Sequence, residues 1–233
     1  MVDINKAFRE FGTVLSTQLD NGEGRLNDAN AASLELVHWL DHLMAIYGSC
    51  DASEILMGAR ASIVETLAYV GMGLGRGALS AMRTQADLFL AFSYFYEHPR
   101  EWLGVCKFSR GFMLRGDIEK YHRESIPDYR KKIGVLDQAY EFTLQDVYRI
   151  LSAHIHGQSS FTLPTSHDFQ GLVSSDTFLA SVVALQGKLS IALSNVLAVA
   201  FLSDGIQPPP TTSSRIQAKL TVPQLGILYA KSG

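Results

Sequence analysis

The stretch Thr177–Ser203 reads TFLASVVALQGKLSIALSNVLAVAFLS, and its 27 residues carry a single charge, Lys188. A segment of this length is long enough to span a bilayer, but Gln186 and Asn195 interrupt it, and its uncharged end, 189–202, has the length of a buried core helix. We therefore expect a buried helix that forms the core or a dimer seam. Attachment to a membrane through this segment is the alternative interpretation.

Helical periodicity continues through the rest of the first 200 residues, with no strand-like alternation of useful length. Thr143 and Asp146 resemble a capping box, and the helix that they start should end near Gly157. These patterns predict an all-α fold, a single-domain helical bundle. The other segments with apolar residues at helical spacing are 2–19, 27–47, 52–70, 79–97, 100–113, 117–124 and 128–142.

The composition changes after residue 203. Residues 208–214, PPPTTSS, are typical of a linker, and the pieces 220–222 and 225–229 offer at most short extended structure. We therefore divide the chain into a helical bundle over 1–203 and an extended, Pro-rich C-terminal tail over 204–233, which wraps a neighbour or frays.

Charge and composition exclude several classes of protein. The chain has 20 Lys+Arg against 23 Asp+Glu and 47% apolar residues, which excludes overall disorder and gives no global field for coating a nucleic acid. Cys50 and Cys106 are far apart and fit reduced core thiols better than a disulfide framework. The N-terminus lacks the pattern of a secretory signal. We expect a cytoplasmic protein.

The most informative motif is the stretch 148–157, YRILSAHIHG. At about 100° per residue, Arg149 and His156 differ by about 20° and lie on one helix face with Ser152 between them, whereas His154 diverges toward the apolar stripe. A guanidinium can hold phosphate oxygens while an imidazole moves a proton, which suits metal-independent RNA cleavage. The simpler alternative is a histidine that complements the helix dipole beside a solvated arginine.

Residues 76–158 resemble the HEPN superfamily, the helical nucleotide-binding domains of higher eukaryotes and prokaryotes. The family motif is Arg, four to six residues, then His, and both His154 and His156 satisfy it after Arg149. The sequence is also similar to uncharacterised bacterial HEPN-like families in which an earlier helix carries Arg and an acidic residue, as Arg83 and Asp87 do here.

This resemblance implies an endoribonuclease that acts as a homodimer without metal or cofactor, with Arg149 on the phosphate, His156 as acid/base and His154 as the alternate. It also implies a toxin or an antiviral-defence effector. Many ribonuclease members carry a polar residue after the Arg, where this chain has Ile150. The alternative is therefore a non-catalytic HEPN-like interaction protein that docks a partner such as an antitoxin.

Other polar clusters have structural and functional interpretations. Arg83 and Asp87 are four residues apart and can form a structural ion pair. The glycine run 71–77 follows a helix and lacks Gly-Lys-Ser/Thr, so helix packing explains it better than phosphate binding. The most basic region could bind an RNA backbone or form a solvated mixed-charge face. Its candidate RNA-binding residues are Arg123, Arg130, Lys131 and Lys132.

Four side chains on one predicted helix raise the question of a metal site. His38 and His42 are four residues apart, with Glu35 and Asp41 nearby. Two histidines do not complete a zinc centre, and the sequence names no further ligand from elsewhere. We therefore assign no metal to the protein.

Overall fold

The computed structural model describes residues 3–111, 113–158 and 167–230, and over these ranges the fold is all-α. A short 3-10 turn, Gln170–Leu172, precedes the long apolar helix. The α-helices are α1 (Ile4–Asn21), α2 (Glu23–Tyr47), α3 (Ser53–Gly71), α4 (Gly75–Phe95), α5 (Pro99–Phe108), α6 (Arg115–Ser125), α7 (Tyr129–Tyr140), α8 (Leu144–Ile155), α9 (Asp176–Ser203), α10 (Pro210–Lys219) and α11 (Val222–Leu228).

Helix α9 lies in the core, as its apolar composition predicts. It packs against α2, α4, α7 and α8. The ring centroid of the fully buried Phe201 lies 5.1 Å from that of Tyr96 and 6.0 Å from those of Trp39 and Tyr47. By length and hydropathy α9 could cross a membrane, but 72% of its most apolar window is buried inside the protein. Its apolar surface is therefore used in packing against other helices.

The glycine run lies where α3 and α4 meet. Gly73 has a φ of +76°, a conformation that side chains disfavour. A Cβ on Gly77 would lie 2.6 Å from Cδ1 of Tyr69, so the absence of a side chain allows the two helices to approach closely. Helix packing thus accounts for these glycines, as the sequence indicated.

The prediction of an extended C-terminal tail is wrong. Residues 210–219 and 222–228 form α10 and α11, and Ile216 and Leu228 are fully buried in the same apolar core as α9. Proline is compatible with the first turn of a helix because the N–H that it lacks has no partner there, so Pro210 starts α10 instead of preventing it.

The two cysteines are free thiols with different surroundings. Cys50 is half-buried and packs against the core, whereas Cys106 is exposed near the end of α5. The prediction that both thiols lie in the core is therefore wrong for Cys106.

Candidate functional site

Helix α8 carries the Arg/His motif and has well-defined ends. Asp146 N donates to Thr143 Oγ1 at 3.1 Å, and Thr143 N donates to Asp146 Oδ2 at 3.0 Å, which confirms the capping box. The hydrogen bonds from Thr143 lower the pKa of Asp146. The helix ends at Ile155, and Gly157 follows with a φ of +61°, as a C-terminal stop requires.

Arg149 and His156 both face solvent. The side chain of Arg149 is 78% exposed, with Nη2 3.6 Å from Asp146 Oδ1. His156 is exposed immediately after the last helical residue. Ser152, between them, is half-buried, and its carbonyl accepts a 3.0 Å hydrogen bond from the His156 amide. Both polar side chains are therefore accessible to a large substrate.

His154 points the other way and is only 4% exposed. Its Nε2–H is placed to donate to the Arg76 carbonyl oxygen at 3.1 Å, with Ser80 Oγ at 3.4 Å. Burial is the largest cause that lowers the pKa of His154, and the charge of Arg76 is the next. The imidazole joins α8 to α4 and is covered by the protein, so the structure corrects its assignment as an alternate acid/base for a surface-bound substrate.

A cluster that the sequence did not indicate surrounds Tyr148. Arg83 pairs with Asp87, as predicted, and the Tyr148 hydroxyl donates to Asp87 Oδ1 at 2.9 Å. The Cζ atoms of Arg83 and Arg115 lie 3.8 and 4.4 Å from the centroid of the Tyr148 ring, within cation–π range. Burial, with the Asp87 charge, raises the pKa of Tyr148 to about 12. The phenol therefore remains a hydrogen-bond donor at neutral pH.

This cluster adjoins Arg149 through a surface cleft of about 340 Å³. Two guanidinium groups, those of Arg115 and Arg149, line the cleft, which makes it a suitable contact surface for phosphate oxygens. From the sequence, only the i,i+4 spacing of Arg83 and Asp87 could be seen. The contact of Arg115 with Tyr148 could not, because Arg115 lies on a different helix. Of the residues that the structure describes, those that line the cleft are Leu114, Arg115, Gly116, Gln145, Tyr148 and Arg149.

The predicted RNA-binding residues do not form a single exposed set. Arg123, Arg130 and Lys131 are exposed, but Lys132 is only 4% exposed, since it lies on α7, which packs against α9 and α11. The side chain of Lys132 is therefore not exposed to an RNA backbone, contrary to the prediction. Arg123 also pairs with Glu119 at 4.0 Å, which reduces the net positive charge of this face.

Three of the four polar residues of α2 are used in separate polar contacts. Glu35 pairs with Arg215 on α10, His38 Nδ1 lies 2.9 Å from Thr211 Oγ1, and Asp41 pairs with Arg60 on α3. Among the described residues, no group of three or more His, Cys, Asp or Glu side chains is placed to hold a metal ion.

Comparison of the chain with models of known protein families, with curated proteins and with solved structures gives no match. The HEPN resemblance therefore depends on the motif residues themselves.

Proposed function

We propose that this protein is a metal-independent endoribonuclease of HEPN type, a toxin or antiviral-defence effector that acts as a homodimer in the cytoplasm. The observation that carries the proposal is the joint exposure of Arg149 and His156, seven residues apart at the end of α8. With His154 buried, His156 is the histidine of the motif that can meet a substrate. Arg115, which lines a cleft with Arg149, supplies a second cation near the phosphate.

The chemistry needs one proton acceptor, one proton donor and one cation at the scissile phosphate. Neutral His156 takes the proton of the ribose 2′-hydroxyl, and the 2′-oxygen attacks phosphorus. The bond from phosphorus to the 5′-oxygen breaks, and the departing oxygen takes a proton from the protonated His156 of a second copy, which becomes neutral. Arg149 stabilises the charge that develops on the phosphate oxygens. The products are a cyclic 2′,3′-phosphate and a free 5′-hydroxyl.

The test is cleavage of single-stranded RNA in the presence of EDTA. We expect His156→Ala to lower the cleavage rate by about 100-fold or more, the usual contribution of general acid–base catalysis, and Arg149→Ala to lower it as well. His38→Ala, on α2, is the matched control and should cleave normally. Cleavage by His156→Ala at the unaltered rate would refute the mechanism. Loss of toxicity in cells that express the variant provides a second measurement.

A non-catalytic interaction protein is the second candidate, and a specific apolar groove favours it. The groove, of about 320 Å³, is lined by residues of α4, α8 and α9. They include Leu79, Ile150, Phe178 and Leu185, and Ile150 is 46% exposed. A helical partner such as an antitoxin could bury this apolar surface. On this alternative, Ile150→Glu abolishes partner binding, whereas His156→Ala leaves the protein's biological effect unchanged.

A further inference from the structure

A cavity of about 380 Å³ lies between α4, α5, α6 and α8. The buried part of its wall is apolar, with Leu90, Phe95 and Ile118 each at most 2% exposed. Its polar lining residues are more accessible: the side chain of Arg83 is 20% exposed, that of Arg115 18%, and Tyr148 is half-buried. The cavity therefore has an apolar interior and a polar mouth.

The mouth carries two guanidinium groups. In the part of the chain that the structure describes, Arg83 and Arg115 line it together with Asp87. Each guanidinium already has a carboxylate partner, since Arg83 pairs with Asp87 and Arg115 Nε lies 3.3 Å from Glu119. A guanidinium has five N–H donors, so both retain donors for another anion. Both guanidinium groups pack against the ring of Tyr148.

The interior selects against a polar ligand. Its walls come from hydrocarbon side chains of Leu88, Ala91 and Val105, and from the rings of Phe95 and Trp102. The indole N–H of Trp102 already donates to the Asp51 carbonyl at 3.0 Å. A nucleobase placed here would lose the hydrogen bonds of its edges, whereas an alkyl or aryl group would lose nothing. The volume lies at the lower end of the usual range for small-molecule sites, about 300–1,000 Å³.

We propose that this cavity binds an amphipathic anion, with an alkyl or aryl group in the apolar interior and a carboxylate or phosphate head at the mouth, on the remaining N–H donors of Arg83 and Arg115. Arginine binds both kinds of head through paired N–H donors, so the two heads share one chemistry. The proposal shares Arg115 with the ribonuclease assignment but uses neither Arg149 nor His156, so ligand binding can be present whether or not RNA is cleaved.

The test is calorimetric titration of the full chain with octanoate, octyl phosphate and 1-octanol. We expect saturable binding of at least one anion at one site per chain, with 1-octanol at least tenfold weaker. The tighter of the two anions identifies the preferred head. Because Trp102 lines the cavity, binding should also change the intrinsic fluorescence.

Two variants test separately the contributions of the anionic head and of the apolar group to binding. Arg115→Gln should weaken binding of the anions at least tenfold, and Ala91→Met, which fills the interior, should weaken all three ligands. Arg60→Gln is the matched control, because Arg60 forms an exposed ion pair with Asp41 on another surface. The proposal is refuted if neither anion binds saturably, or if octanol binds as tightly as the anions. Binding unaffected by Ala91→Met would also refute it, even if Arg115→Gln fails to fold.

Discussion

Arg215→Met should weaken the anchoring of α10 to the core and lower the stability of the protein. In the structure, Arg215 Nε donates to Glu35 Oε1 at 2.9 Å, Nη2 donates to Ser194 Oγ at 3.0 Å, and both Nη atoms lie 3.2 Å from Asn195 Oδ1. The side chains of Arg215 and Glu35 are 18% and 15% exposed. The substitution leaves the Glu35 carboxylate largely buried without its cation.

The expected loss is about 3 kcal/mol of the free energy of unfolding, the lower part of the range for breaking a buried ion pair. We choose the lower part because the hydroxyls of Ser194 and Thr212 still donate to Glu35, each at 2.8 Å. A salt bridge on the surface contributes about 0–1 kcal/mol. The two values are far enough apart for the experiment to distinguish them.

Urea denaturation, followed by circular dichroism, measures the loss. Arg60→Met is the matched control, because Arg60 and Asp41 form an ion pair whose side chains are 47% and 62% exposed. A double-mutant cycle with Glu35→Gln isolates the coupling between Arg215 and Glu35, which we expect to exceed about 1 kcal/mol. If Arg215→Met costs no more than Arg60→Met, α10 is not anchored by this pair and the reasoning fails.

Three further substitutions test helix packing and electrostatics. Gly77→Ala should lower the stability measured by thermal melting, despite the higher helix propensity of alanine, because its Cβ would lie 2.6 Å from a ring carbon of Tyr69. Gly134→Ala is the control: its Cβ would have nothing within 4 Å, so it should raise the stability by up to about 1 kcal/mol. Burial, with the charge of Asp146, raises the pKa of Asp137 from 3.8 to about 6, so its ionisation costs stability as the pH rises through this range. Asp137→Asn should therefore raise the free energy of unfolding at pH 7.5 by about 1 kcal/mol, after allowance for solvent screening. At pH 4 the substitution should change the free energy of unfolding little. Equal gains in stability at both pH values would contradict this prediction.

Features that depend on neighbours within a few residues were predicted correctly. The helical periods, the Thr143 and Asp146 capping box, the end of α8 near Gly157 and the Arg83–Asp87 pair all follow from i,i+3 and i,i+4 geometry. The divergence of His154 from Arg149 was likewise a property of the helix alone, although the sequence did not show that another helix would bury it.

The C-terminal segment shows where local interpretation failed. Its prolines and hydroxyl residues are typical of a linker, and an isolated ten-residue helix such as α10 is marginal in water. Burial of Ile216 and the ion pair of Arg215 with Glu35, 180 positions away, supply stability that no local pattern contains.

The sequence by itself thus determined that the chain is helical, which segment would be most apolar, and that His154 would point away from Arg149 on α8. The tertiary structure decided which charged side chains are covered, as Lys132 is, and which are brought together, as Arg83 and Arg115 are around Tyr148. The physical reason is that helix geometry is set over about four residues, whereas burial and ion pairing depend on helices that are distant in the chain.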